Sequence, residues 1–156
     1  STFSAISELQ MFMEYFPDSN RKTEAQLMIF NLQDKLVLKD YLTAKLYYDL
    51  GTYTGNASYT ADMRINGNNF LACITTAQNA LKDYPYTSMR EDISILLLRA
   101  KYKLGSESVL DKKEERMRET IDEYYAFKNE FPESKYMKEV EAIYKDASKY
   151  VKELNE

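Results

Sequence analysis

The chain has no histidine, no tryptophan, one cysteine, three prolines and four glycines in 156 residues. Each shortage excludes something. Without histidine, the usual general base near neutral pH, the commonest metal ligand and the ordinary pH switch are all missing. A lone cysteine, Cys73, cannot form an internal disulfide, so cysteine usage says nothing of redox compartment. So few helix breakers, beside abundant Leu, Ala, Lys and Glu, point to an all-α protein. No run approaches the ~20 apolar residues that a membrane-crossing helix needs. Charge is mixed along the chain, net −4, with no basic block or stripe, which argues against a nucleic-acid partner.

What is present is a phrase written three times. Phe16-Pro17-Asp18-Ser19, Tyr84-Pro85-Tyr86-Thr87 and Phe131-Pro132-Glu133-Ser134 share the pattern aromatic-Pro-x-Ser/Thr. Proline disfavours helical geometry in the residue before it and lacks the N–H that a helix interior needs. The hydroxyl two places on is a ready N-cap for the next helix. In the middle copy, Ser88-Met89-Arg90-Glu91 also offers a capping box. Each unit is therefore expected to end one helix and start another, with the aromatic packed beneath the turn. A second marker is Leu50-Gly51 and Leu104-Gly105, where glycine follows the last apolar residue and terminates a helix in the left-handed conformation. Alternating proline and glycine turns are the grammar of stacked helical hairpins.

Between turns the apolar period is helical. Ile93, Leu96, Leu97, Ala100 and Leu104 form one stripe; Val140, Ile143, Tyr144, Ala147, Val151 and Leu154 form another. The opening residues place Phe3, Ile6, Leu9, Phe12 and Met13 along one side, so the chain starts inside an amphipathic helix and reads as part of a longer protein. Arg21 to Leu50 has no Gly or Pro and reads as one long helix of about 45 Å, a break near Leu36 to Asp40 being the fallback. Further helices are predicted over Asn69–Asp83, Ser88–Leu104, Leu110–Glu130 and Ser134–Glu153. The stretch from Gly51 to Asn69 holds three of the four glycines and has no helical period. It is expected to be a long loop, and such loops in compact proteins are usually functional or disordered.

Helix pairs punctuated by a glycine within the pair and a proline after it are the signature of tetratricopeptide (TPR) repeats. The wording is more specific than that. The Phe16–Ser19 turn, the core Leu32-Gln33-Asp34-Lys35-Leu36, then Ala44, Tyr47, Tyr48 and Gly51, and the closure from Lys82 to Thr87 together resemble the outer-membrane protein assembly factor BamD family. The segment Asp122–Ser134 resembles the form found in the Bacteroidetes branch. The resemblance covers nearly the whole chain. It implies a short right-handed TPR solenoid: residues 1–19 end an upstream repeat, 20–87 hold the long helix, the 51–69 insertion and a second helix, 88–134 form the terminal repeat, and 135–156 form a C-terminal helix. It further implies a non-catalytic scaffold at the periplasmic face of the outer membrane, anchored by an N-terminal lipid that this chain does not carry. The implied partners are the POTRA region of BamA, other components of that machinery and, through upstream repeats, unfolded outer-membrane proteins. The 51–69 loop departs from the tight turn expected in the family.

No catalytic, cofactor-binding or metal-binding residue is predicted. Asp62 to Asn68 begins like an EF-hand, but position 3 is Arg64 and position 12 is Cys73 where a bidentate glutamate is required; an Asn-Gly turn in a polar loop fits the same residues. Tyr47, Tyr48, Tyr124, Tyr125, Tyr144 and Tyr150 either pack between helices or offer an aromatic surface. The residues put forward for partner contact are Tyr53, Tyr59 and Arg64 in the loop, with Arg116 and Arg118 in the charged run Asp111–Glu119, which also reads as a solvated helix face. Two further classes remain open: a generic TPR adaptor for a peptide, and an envelope protein with an aromatic sugar-binding ledge in the loop.

Overall fold

A computed structural model describes residues 1–51 and 68–152. Tyr53, Tyr59, Arg64 and the EF-hand-like stretch from Asp62 lie outside the described residues. The chain is all-α: helices α1 (Thr2–Tyr15), α2 (Lys22–Leu50), α3 (Asn69–Asp83), α4 (Arg90–Ser106), α5 (Leu110–Glu130) and α6 (Met137–Ser148), with no strand among the described residues. The breaker-free run from residue 21 folds as one helix of 29 residues, about 43 Å long. Val37, inside the fallback break region, is fully buried within it.

Successive helices pack antiparallel. At one end of the α2–α3 pair the Asn69 N–H donates to the Gly51 carbonyl at 3.1 Å; at the other, the turn after α3 reaches Asp34. In the α4–α5 pair, Gly105 lies against Met117 and Arg90 pairs with Glu130. Helices α4 and α6 lie side by side, joined by Arg99 to Glu139 and Tyr102 to Asp146. Helix α4 is the shared wall of two apolar clusters. Ile93, Leu96, Leu97, Ala100 and Leu104 face the cluster built with α2 and α3. Ile95 and Leu98 face the cluster built with α5 and α6, where Tyr124, Phe127, Val140 and Ile143 are buried. A third cluster joins Met117 and Ile121 to Ala147 and Val151.

The three aromatic-Pro-x-Ser/Thr phrases are one turn built three times. Phe16, Tyr84 and Phe131 have φ/ψ of −128/63, −130/65 and −127/60. In each, the hydroxyl accepts the N–H two residues on: Arg21 to Ser19 at 3.2 Å, Met89 to Thr87 at 3.2 Å and Tyr136 to Ser134 at 3.1 Å. Two copies also bolt onto an earlier helix. Thr87 donates to Asp34 of α2 at 3.0 Å and Ser88 to its other oxygen at 3.3 Å; Ser134 donates to Glu91 of α4 at 2.5 Å. Ser19 has the capping contact alone.

Several expectations change. The Ser88–Glu91 capping box does not form, because each member is taken by a longer-range bond: Ser88 by Asp34 and Glu91 by Ser134. Gly51 does end α2 with φ +53, but Gly105 lies inside α4, which runs to Ser106. There the missing Cβ matters for packing, since one would sit 3.1 Å from the Met117 sulfur. Helix α6 stops at Ser148 rather than Glu153. Its backbone tightens to bonds such as Tyr150 N–H to Ala147 O, which turns Val151 into the core. Tyr84 and Phe131 pack against the core as expected, whereas Phe16 is 58% exposed.

Candidate functional site

A groove of about 990 Å³ lies over the first half of α2, walled by the end of α1 on one side and the turn after α3 on the other. It exists because α1 covers one flank of α2 and α3 the other, leaving the strip between them open. Ile29 and Val37 form a buried apolar floor, with Gln26 and Gln33 beside them. Glu14 stands on the α1 wall and Asp83 on the opposite wall, both exposed. Tyr86, the variable residue of the middle phrase, is 87% exposed at the rim. Asp34 is engaged by Thr87 and Ser88, and Lys22 is the one cation on the lining. The lining thus carries three carboxylates, Glu14, Asp34 and Asp83, against one ammonium. Burial raises the Asp40 carboxyl above its usual range and Asp83 adds to the rise. The Tyr84 phenol is raised by burial and then by Asp40 and Asp83.

A smaller groove, about 250 Å³, lies where α2, α4 and α6 meet, with Tyr48, Arg99, Lys103 and Glu139 on its lining. The Arg99 fork donates to both Glu139 oxygens at 2.6 and 2.7 Å, and its guanidinium lies 5.2 Å from the Tyr136 ring. That hydrogen bonding lowers the Glu139 carboxyl and raises Arg99. Tyr102 donates to Asp146 at 2.5 Å; burial first, and then this bond, push its phenol up to about 12. Lys103 is exposed beside the clamp. On the outward face of α2, Leu38, Leu42 and Leu46, four residues apart, form an apolar ridge that is 46%, 55% and 57% exposed.

The two arginines put forward from sequence are engaged within the chain. Arg116 donates to the Ser108 hydroxyl at 2.5 Å, tying α5 to the turn before it, and Arg118 pairs with Glu114 at 3.0 Å on the same helix. Two residues apart, they do not share a helix face, so the structure does not bring them together. Tyr124 and Tyr144 stack at 4.4 Å, with Tyr125 edge-on to both, which is packing between α5 and α6. Cys73 is fully buried and its thiol is pushed up to about 12 by burial, so it stays protonated at neutral pH. Sequence reasoning passed over the groove residues Glu14, Asp83 and Tyr86. The one signal was a large aromatic at the variable position of a turn whose counterparts are the polar Asp18 and Glu133.

No protein-family model matches the chain, and no curated protein matches it. The described residues and their geometry define an all-helical chain of packed neighbours that carries these grooves and an exposed apolar ridge.

Proposed function

We propose that the protein is a TPR-type solenoid, the C-terminal portion of a BamD-like factor, and a non-catalytic scaffold of the outer-membrane β-barrel assembly machinery. It binds BamA through its POTRA region and supports folding and insertion of outer-membrane proteins. The observation that carries this reading is the aromatic-Pro-x-Ser/Thr turn, set among sequence blocks that resemble BamD and repeated with one backbone geometry. Such helix pairs do not bury their own apolar faces; stacking builds a continuous core and leaves long surfaces for a partner. No described helix is long and apolar enough to cross a membrane, and in this reading attachment to the outer membrane is through a lipid. Calorimetry of the chain against purified BamA POTRA domains from the same source is the test. Saturable micromolar binding is the expected result; no binding by the folded chain removes BamA as partner of this portion.

A second reading, a TPR adaptor for peptides in the periplasm, is favoured by the α2–α4–α6 groove. In a TPR array those helices line the concave side, and Arg99 and Lys103 give that side polar, partly basic character. Binding of an acidic peptide that is abolished by Lys103→Glu supports it.

A further inference from the structure

We infer that the groove over the first half of α2 takes an extended polypeptide segment bearing a basic side chain, whose charge is met by Glu14 and Asp83 and whose side chain lies on Tyr86. The inference rests on the reading of the array as a protein-binding scaffold, but not on the identity of the partner. Three features of the groove specify the occupant. Its floor is apolar at Ile29 and Val37 and carries the amides Gln26 and Gln33. An amide side chain both donates and accepts, which suits a segment whose own backbone N–H and C=O groups are free. A helix keeps those groups to itself, so the occupant is extended. The rim carboxylates set its charge. Glu14 and Asp83 form no ion pair among the described residues, whereas Asp34 is already occupied by two hydroxyls, and Lys22 is the one cation that shares the lining with them. An acidic segment would meet two uncompensated carboxylates; a basic one neutralises them. Finally, Tyr86 presents an exposed ring beside those charges. An arginine or lysine can lie on such a ring while its cation reaches the carboxylates, and tyrosine is among the residues that most often dominate interface energy. Because the carboxylates are exposed, their effect is on charge selection and salt dependence more than on tight affinity.

The probes are three pools of acetylated, amidated ten-residue peptides, alike except that two central positions are both Arg, both Gln or both Glu. Binding to the intact chain is read by fluorescence anisotropy at low and moderate salt. The expected result is saturable binding of the Arg pool, at least tenfold tighter than the Gln pool and weakening with salt, and no binding of the Glu pool that survives Lys103→Glu in the other groove. The double variant Glu14→Gln/Asp83→Asn, whose side chains support no packing, should keep the helical spectrum and melting temperature and lose the preference for Arg. Tyr86→Ala should weaken the Arg and Gln pools unequally, the Arg pool more. Absence of saturable Arg-pool binding up to millimolar peptide, or a charge preference that survives in the folded double variant, overturns the inference. If BamA POTRA domains bind while the Arg pool does not, the groove assignment falls and the scaffold reading stands. The converse result removes BamA and leaves the groove.

Discussion

Removing the hydroxyl from each of the three repeated turns should give three different losses of stability, although the local sequence is the same. Ser134 caps α6 by accepting the Tyr136 N–H and also donates to Glu91 of α4. Losing a cap costs about 1 kcal/mol, and losing a hydrogen bond to a carboxylate about 1.5–3 kcal/mol in full burial. Both residues are only half-buried, so the second figure is discounted and Ser134→Ala should cost about 2 kcal/mol in all. For a chain of this length that lowers the melting temperature by about 4–8 °C. Ser19 has only the capping contact, so Ser19→Ala should cost about 1 kcal/mol or less. Thr87→Ala should fall between them, because Ser88 still donates to Asp34; adding Ser88→Ala should bring the loss to the Ser134 level. Urea unfolding followed by circular dichroism measures all four, with an unchanged denaturant slope as the check that the same transition is compared. Equal losses for Ser19→Ala and Ser134→Ala would falsify the claim that the repeated phrase locks one helical pair to the one before it.

The two glycines beside the hairpins should both resist substitution, for different reasons. Gly51→Ala combines a positive φ with a Cβ 3.0 Å from the Phe70 ring and should cost about 2–4 kcal/mol, whereas Gly105→Ala sets a Cβ 3.1 Å from the sulfur of the fully buried Met117 and should cost about 1–2 kcal/mol, the overpacking being partly offset by better helix propensity. Acid should weaken the α4–α6 clamp. The Glu139 carboxyl is held below its usual 4.5 by Arg99, so its contribution is complete above that value and is lost as pH falls through the lower, folded value. Glu139→Gln should therefore flatten the fall in melting temperature below pH 5, an effect kept modest by the exposure of the pair. Cys73, buried and protonated, should resist a disulfide reagent at pH 8 until urea unfolds the chain, and rapid labelling of the native protein would contradict its placement.

Most of the helical framework was legible because two kinds of signal agreed. The apolar stripe Ile93–Leu104, the Pro turns and the glycine turns predicted α3, α4 and α5 to within two residues at each end, and the uninterrupted Arg21–Leu50 run predicted the long α2. The errors arose where a short-range rule competed with a contact distant in sequence. Ser88 and Glu91 have the spacing of a capping box, yet partners 54 and 43 residues away claim them. Gly105 has the look of a terminator, yet it is small because α5 approaches it. Helix periodicity ran on past Ser148, and nothing local marks the tightening that brings Val151 inward. The grooves were not legible at all. They depend on which flank of α2 each neighbour covers, and the charge of Glu14 acquires meaning only when Asp83, 69 places along the chain, stands across from it.

Helix α4 is enclosed on both sides, with Ile93, Ala100 and Leu98 almost inaccessible, while α1 buries a single residue, Ile6. A helix covered on one side opens more readily than one enclosed on both, so this inequality is also an inequality in time. Backbone amides of α1 should exchange with solvent through frequent fraying, and those of α4 only when the whole chain opens. A segment bound in the groove walled by α1 should therefore be read out as slower exchange in α1 well before any change in α4.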